Sequence, residues 1–194
     1  MTTQAPGLLR GPGPRRVLVP GGAGYFGGVL ARYLAGQLIE VVSLDRLADP
    51  DPDPRVVYVI ADLRRADEVR AVLADQGPFD AIFHCAALMG HENPSPQELW
   101  DANAGGTEIL ADAAIEAGVR KIVYTSSICV FGRPYDHPVN EDEPVCPIEP
   151  YGRSKLEGEK ILAARADRLD ADAIRCPTIV SAGRLGLVAI LFEF

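Results

Sequence analysis

Short β-branched apolar runs alternate with segments of helical periodicity along this chain, and that alternation constrains its fold more than any other feature. Arg15 to Pro20 (RRVLVP) reads as a strand that empties into a glycine-rich loop, and Tyr25 to Ala35 then has helical spacing. Leu38 to Leu44 is a second strand, with Asp49 to Pro54 (DPDPDP) a stiff surface turn behind it. Val56 to Ile60 is a third strand before an amphipathic helix from Arg64 to Ala74, and Phe79 to Cys85 is a fourth. A long helical stretch from Ser95 to Ala117 stops at Gly118, a residue suited to a helix C-terminus. Val119 to Thr125 is a fifth strand, the acidic and proline-rich stretch from Phe131 to Pro150 a loop, Tyr151 to about Arg168 a helix, and Ala173 to Cys176 a sixth strand. Strand–helix–strand repeats of this kind build a parallel sheet, so the expectation is a doubly wound α/β fold with helices on both faces.

Composition bounds what such a fold can bind. The chain has 194 residues, 47% of them hydrophobic, enough for one domain with a real core. Its net charge of −8 and the lack of any basic run argue against nucleic acid, which needs clustered Lys and Arg. An anionic ligand must therefore be held by oriented backbone amides. The four cysteines (Cys85, Cys129, Cys146 and Cys176) are widely spaced without a CxxC pair. That pattern suits free thiols in a reducing compartment, hence the cytoplasm, and neither they nor the three histidines have metal-ligand spacing. Residues 1–14 read as a disordered Pro/Gly arm without the apolar core of a secretory signal. Leu185 to Phe194 (LGLVAILFEF) is apolar but too short to span a bilayer, so no membrane partner is expected. It reads as the start of a C-terminal part whose neighbours are missing.

Gly21, Gly24 and Gly27 form GxxGxxG at the first strand-to-helix turn. One glycine permits the tight turn, one lets backbone approach a pyrophosphate, and one lets the helix pack closely; the helix N-terminus then presents unpaired amides to the anion. A plain turn is the alternative. Asp45, at the end of the second strand, is placed to accept the ribose hydroxyls of an adenosine, and its charge opposes a 2′-phosphate. It therefore argues for NAD over NADP, whereas Arg46 beside it can accommodate the extra phosphate. Asp62, after the third strand, can reach an adenine edge or cap the next helix. Together these residues make the sheet Rossmann-type.

Tyr151 and Lys155 stand four apart near the start of a helix, on one face. An ammonium beside a phenol stabilises the phenolate and makes it a usable general base. The alternative is a surface packing pair. Ser126 and Ser127 lie at the C-terminal end of the fifth strand, where open parallel sheets bind ligands. A hydroxyl there can orient a substrate oxygen or merely cap the strand end.

In order, GGAGYFG from Gly21, DR at Asp45, ADL from Ala61, HCAAL from His84, NAGGT from Asn103, SSICVFG from Ser126 and PYGRSK from Pro150 resemble the extended short-chain dehydrogenase/reductases, in particular the NAD-dependent sugar-nucleotide epimerases and dehydratases. The resemblance implies that backbone amides of Tyr25 and Phe26 meet the pyrophosphate, that Leu63 joins Asp62 in the cofactor site, and that Ala86 and Ala87 line it near the nicotinamide ribose. It implies Asn103 as a brace of the sheet, Ser127 as the substrate-orienting hydroxyl, Tyr151 as both base and cofactor contact, Lys155 as both ribose ligand and tuner of Tyr151, and Pro177 beside the nicotinamide. The implied reaction is hydride transfer from a sugar carbon to NAD while Tyr151 takes the hydroxyl proton, with return to the opposite face in an epimerase. A homodimer through the helices around 95–117 and 151–168 is also implied. Ile128 and Cys129 stand where dehydratases of the family carry an Asp-Glu pair, which disfavours 4,6-dehydration. Phe131 replaces the tyrosine of the family's VYG, and Thr178 stands where UDP-galactose epimerases have an asparagine. Other readings are an NAD(P)-dependent dehydrogenase or reductase of another small alcohol or ketone, and a non-catalytic dinucleotide-binding sensor. Family members run longer, so a chain cut short before its substrate-binding part is expected.

Overall fold

The computed structural model describes residues 13–89, 93–140 and 142–179. Six strands, β1 (Arg16–Pro20), β2 (Glu40–Asp45), β3 (Val56–Ile60), β4 (Ala81–His84), β5 (Lys121–Ser127) and β6 (Asp170–Cys176), form one sheet in the order β3-β2-β1-β4-β5-β6. Every neighbouring pair is parallel. The order reverses between β1 and β4, the place where a doubly wound sheet opens a crevice at its strand ends.

The helices are α1 (Tyr25–Gly36), α2 (Ala66–Gln76), α3 (Pro96–Leu99), α4 (Gly106–Glu116) and α5 (Pro150–Ala163). Period-two alternation divides the strand side chains between two cores. Leu18, Val42, Leu44, Ile82, Ile122 and Tyr124 pack with Val69, Leu73, Leu110, Ala114 and Leu162 beneath α2, α4 and α5. Val17, Val19, Val41 and Ala81 pack with Ala31, Leu34 and Ala35 beneath α1. Val17, Leu18 and Val19 are all 0% exposed, as a central strand covered on both faces must be.

Several boundaries differ from those expected. β2 begins at Glu40 because Leu38 turns the chain at φ 63° and is fully in solvent. β6 begins at Asp170, earlier than its apolar residues suggest, because Asp170 and Asp172 on this edge strand both bind Lys121 of β5 (2.9 and 2.6 Å). β5 runs on to Ser127, and α5 ends at Ala163, with turns rather than helix up to Arg168. The stretch expected as one helix from Ser95 is capped as a box by Ser95 and Glu98, but a π-helical segment, Trp100–Gly105, separates α3 from α4. Gly118 ends it at φ 78°, as expected. A 3₁₀ turn, Ile128–Phe131, follows β5 unannounced by the sequence pattern. Among the described residues no helix is long and apolar enough to cross a membrane, and no cluster of His, Cys, Asp and Glu could hold a metal. The four cysteines are free thiols. Residues 1–12 of the expected N-terminal arm and all of 185–194 lie outside the described residues.

Candidate cofactor and active site

The glycine loop leaves β1 at φ 86° for Gly21, a left-handed conformation that a side chain resists. A Cβ on Gly21 would lie 2.4 Å from the Ala86 amide nitrogen, and one on Gly27 would lie 2.1 Å from the Gly21 carbonyl oxygen. Both positions therefore require glycine: the loop runs backbone to backbone against the residues after β4, and the first turn of α1 closes on the loop. Gly24 caps α1 and is exposed; no cap side chain takes the helix's first amides, and the first turn holds no acid. The positive end of the helix dipole at this turn favours an anion.

Around this loop lies a cleft lined by Gly21, Gly24, Leu44, Asp45, Arg46, Ala61, Asp62, Leu63, Arg64, Cys85, Ala86, Ala87, Leu88 and Ala102. Eight of the residues expected at a cofactor thus meet on one surface, contributed by four strand ends. Asp45 is fixed there by its backbone neighbours: Ala23 N–H donates to Oδ2 and Leu47 N–H to Oδ1, each at 3.1 Å. Asp62 does not cap α2, whose cap is Arg65. It instead accepts from the Arg64 backbone and, in a forked pair, from the Arg64 guanidinium, which holds its carboxyl below the usual carboxylate range. Tyr25, Phe26 and Gly27 form the first turn of α1 and do not line the cleft, and Pro177 is an exposed residue directly after β6.

The second group gathers at the end of β5. Ser127 is nearly buried and its Oγ accepts from Cys129 N–H at 3.2 Å, capping the 3₁₀ turn. That leaves its hydroxyl proton available to donate. Ser126 instead donates to Glu159, which Arg175 of β6 grips at 3.1 and 2.8 Å. Tyr151 is half-buried at the first turn of α5, and Lys155 one turn on is 1% exposed. Burial pushes the Lys155 amine down to about 7.

Asn103, in the π-helical segment, ties the loop after β4 to α5, and among the described residues its side-chain hydrogen bonds do not reach a strand. Its Oδ1 accepts from Leu88 N–H (2.7 Å), and its Nδ2 donates to Leu88 O and to Ser154 Oγ (3.0 Å each). Ser154 in turn donates to the Tyr151 carbonyl at 2.8 Å. One buried amide thereby ties the cleft wall after β4 to the helix that carries Tyr151. Sequence reasoning missed Arg64, His84, Tyr124 and the Glu159–Arg175 pair. Glu159 alone carried a signal: it continues the Tyr151–Lys155 face by a further four residues. His84 is held by Thr107 at 2.9 Å and kept neutral by burial, which pushes it down to about 3.

A parallel sheet in this order, with a glycine loop and a strand-end carboxylate at its switch point, defines a dinucleotide-binding α/β protein. The chain belongs to the NAD dependent epimerase/dehydratase family, whose model matches residues 17–188. It is 34% identical over 173 residues to a UDP-glucose 4-epimerase of Streptomyces lividans, covering 87% of this chain and 53% of the relative. Among solved structures it is similar to the UDP-glucose 4-epimerase of Brucella ovis in complex with NAD, at 31% identity and a TM-score of 0.73, over 83% of this chain and 51% of that one. It is also similar to DesIV, a dTDP-glucose 4,6-dehydratase from Streptomyces venezuelae with NAD and TYD bound, at 29% identity and a TM-score of 0.74, over 83% and 55%. The chain spans about half the length of the relatives it matches.

Proposed function

We propose that this chain binds NAD in the cleft of the glycine loop and supports epimerisation of a sugar nucleotide through Tyr151. The observation that carries the reading is the glycine loop, closed to any Cβ at Gly21, sharing one cleft with the Asp45 carboxylate. The residues present fit the group: the glycine loop and the α1 helix dipole for a pyrophosphate, Asp45 for the adenosine ribose and Asp62 at the adenine end. Asp45 sits where a 2′-phosphate would bring like charge, so NAD is preferred over NADP. NAD supplies hydride acceptance at its nicotinamide ring when bound.

The chain's own residues supply the rest. Ser127 donates to and orients a substrate oxygen; Tyr151 takes the proton from the substrate hydroxyl. Lys155, one turn below, favours the phenolate when charged and drops the base towards neutrality. Ile128 and Cys129 offer no carboxyl pair, so elimination in the manner of a 4,6-dehydratase is not the proposed chemistry. The likeness to UDP-glucose 4-epimerases supports a uridine diphosphate sugar as substrate. A second reading, oxidation of another small alcohol, is favoured by exposed Thr178 in place of the epimerases' asparagine. The free thiols support action in the cytoplasm, and α4 with α5 offers the faces for a homodimer, which light scattering tests.

The chemistry is tested by assaying interconversion of UDP-glucose and UDP-galactose with NAD present. Tyr151→Phe should cut turnover by about 10²–10⁴-fold while leaving NAD affinity within a few fold. Undiminished turnover in that variant removes Tyr151 from its role.

A further inference from the structure

Beneath the Tyr151–Lys155 pair lies a buried aromatic that neither cofactor nor substrate contact accounts for. Tyr124 of β5 is 0% exposed, and its ring centre lies 4.1 Å from Lys155 Nζ. The helix above is cut to admit it: a Cβ on Gly158 would lie 2.4 Å from Tyr124 Oη. Beside it the His84 ring, its register partner on β4, packs at a tilt with ring centres 5.2 Å apart and is itself fixed by Thr107. The Tyr124 ring is therefore confined by His84 and α5, with its face to the amine.

The charged and titratable groups around that amine leave the ring a distinct task. Cys85, at the end of β4, is pushed up to about 11 by burial, and Cys176 of β6 is raised likewise, so both are neutral thiols near pH 7. His84 of β4 is neutral. Glu159 of α5 is already engaged by Arg175 and Ser126. Tyr151, one turn back on α5, is the phenol that the amine serves. A lysine cation over an aromatic face gains most where water is excluded.

We infer that Tyr124 is the positioning residue of the pair: its ring face seats the Lys155 amine and favours its charged form, and Gly158 is glycine to leave room for that ring. The inference rests on reading Tyr151 and Lys155 as the catalytic pair. Its sign is definite. Burial favours the neutral amine and the ring favours the cation, so loss of the ring lowers the lysine titration midpoint further. Tyr151 then loses its positive neighbour at neutral pH.

Lysine-labelled NMR of the full chain without dinucleotide tests this directly, because only Lys121, Lys155 and Lys160 contribute signals. One lysine should show ε-proton signals moved upfield by the ring current and a midpoint near 7. Tyr124→Phe should keep both. Tyr124→Leu should abolish the upfield shift and lower the midpoint by about one unit. Should that variant unfold, ring-fluorinated phenylalanines at position 124 preserve shape while weakening the π cloud, and the midpoint should fall step by step with fluorination. Gly158→Ala, which displaces the ring, should shrink the upfield shift. Three unshifted lysines in the unsubstituted protein, or a midpoint indifferent to fluorination, overturns the inference. Since no dinucleotide is present, failure of NAD binding would strike the proposed function and leave this result intact.

Discussion

A single backbone contact decides whether the glycine loop can exist. Gly21 combines a left-handed φ with an approach to Ala86 that leaves no room for a Cβ. Gly21→Ala should therefore destabilise the fold by about 2–3 kcal/mol, measured by denaturant unfolding, well beyond a tolerated Gly-to-Ala change. His84 makes a second prediction, through pH. Its folded value of about 3 lies below the ordinary 6.5, so between those limits the unfolded chain binds the extra proton. Stability contributed by neutral His84 is present above pH 6.5 and is lost as pH falls towards 3. Unfolding measured from pH 7 down to 4 should show a slope that His84→Gln flattens; an unchanged slope would remove His84 as its source. The local motifs, Gly21 to Gly27 and Tyr151 with Lys155, were legible in the sequence because their spacing lies within one loop or one helical turn. Tyr124 under Lys155 was not, since strand order brings together residues thirty-one positions apart.

At the scale of elements, the site depends on ties between segments that share no sequence neighbourhood. Glu159 of α5 is mostly buried against Arg175 of β6, whose guanidinium also stands over the Phe131 ring at 5.0 Å. Glu159→Gln should cost about 2 kcal/mol in unfolding free energy, less than a fully enclosed pair because Arg175 keeps some access to water. Asn103→Ala should cost about 1–3 kcal/mol and, more tellingly, loosen α5 against the loop after β4, read as faster amide exchange at Leu88. The π-helical segment around Asn103 explains why the stretch from Ser95 was expected as one helix. Its apolar spacing is helical throughout, whereas the extra residue per turn is decided by where Asn103 must point. The start of β6 was illegible for a different reason: Asp170 and Asp172 carry no strand pattern, and their place is set by Lys121 across the sheet. The strand Val56–Ile60, with no such competing partner at its ends, was read to the residue.

For the whole molecule, the claim is that sheet order, glycine loop and strand-end carboxylates form a dinucleotide site within the residues shared with longer relatives. Preference between cofactors belongs to this scale, because it sets Asp45 against Arg46 and Arg64 across one cleft. Asp45→Asn should narrow the preference for NAD over NADP by about tenfold in dissociation constant, chiefly by removing repulsion of the 2′-phosphate. An unchanged ratio would assign discrimination elsewhere. The most direct test of this dinucleotide site is titration calorimetry of the 194-residue chain with NAD. Saturable binding of one NAD per chain is expected, with a matching rise in melting temperature. Absence of both heat and thermal shift at millimolar NAD would contradict it.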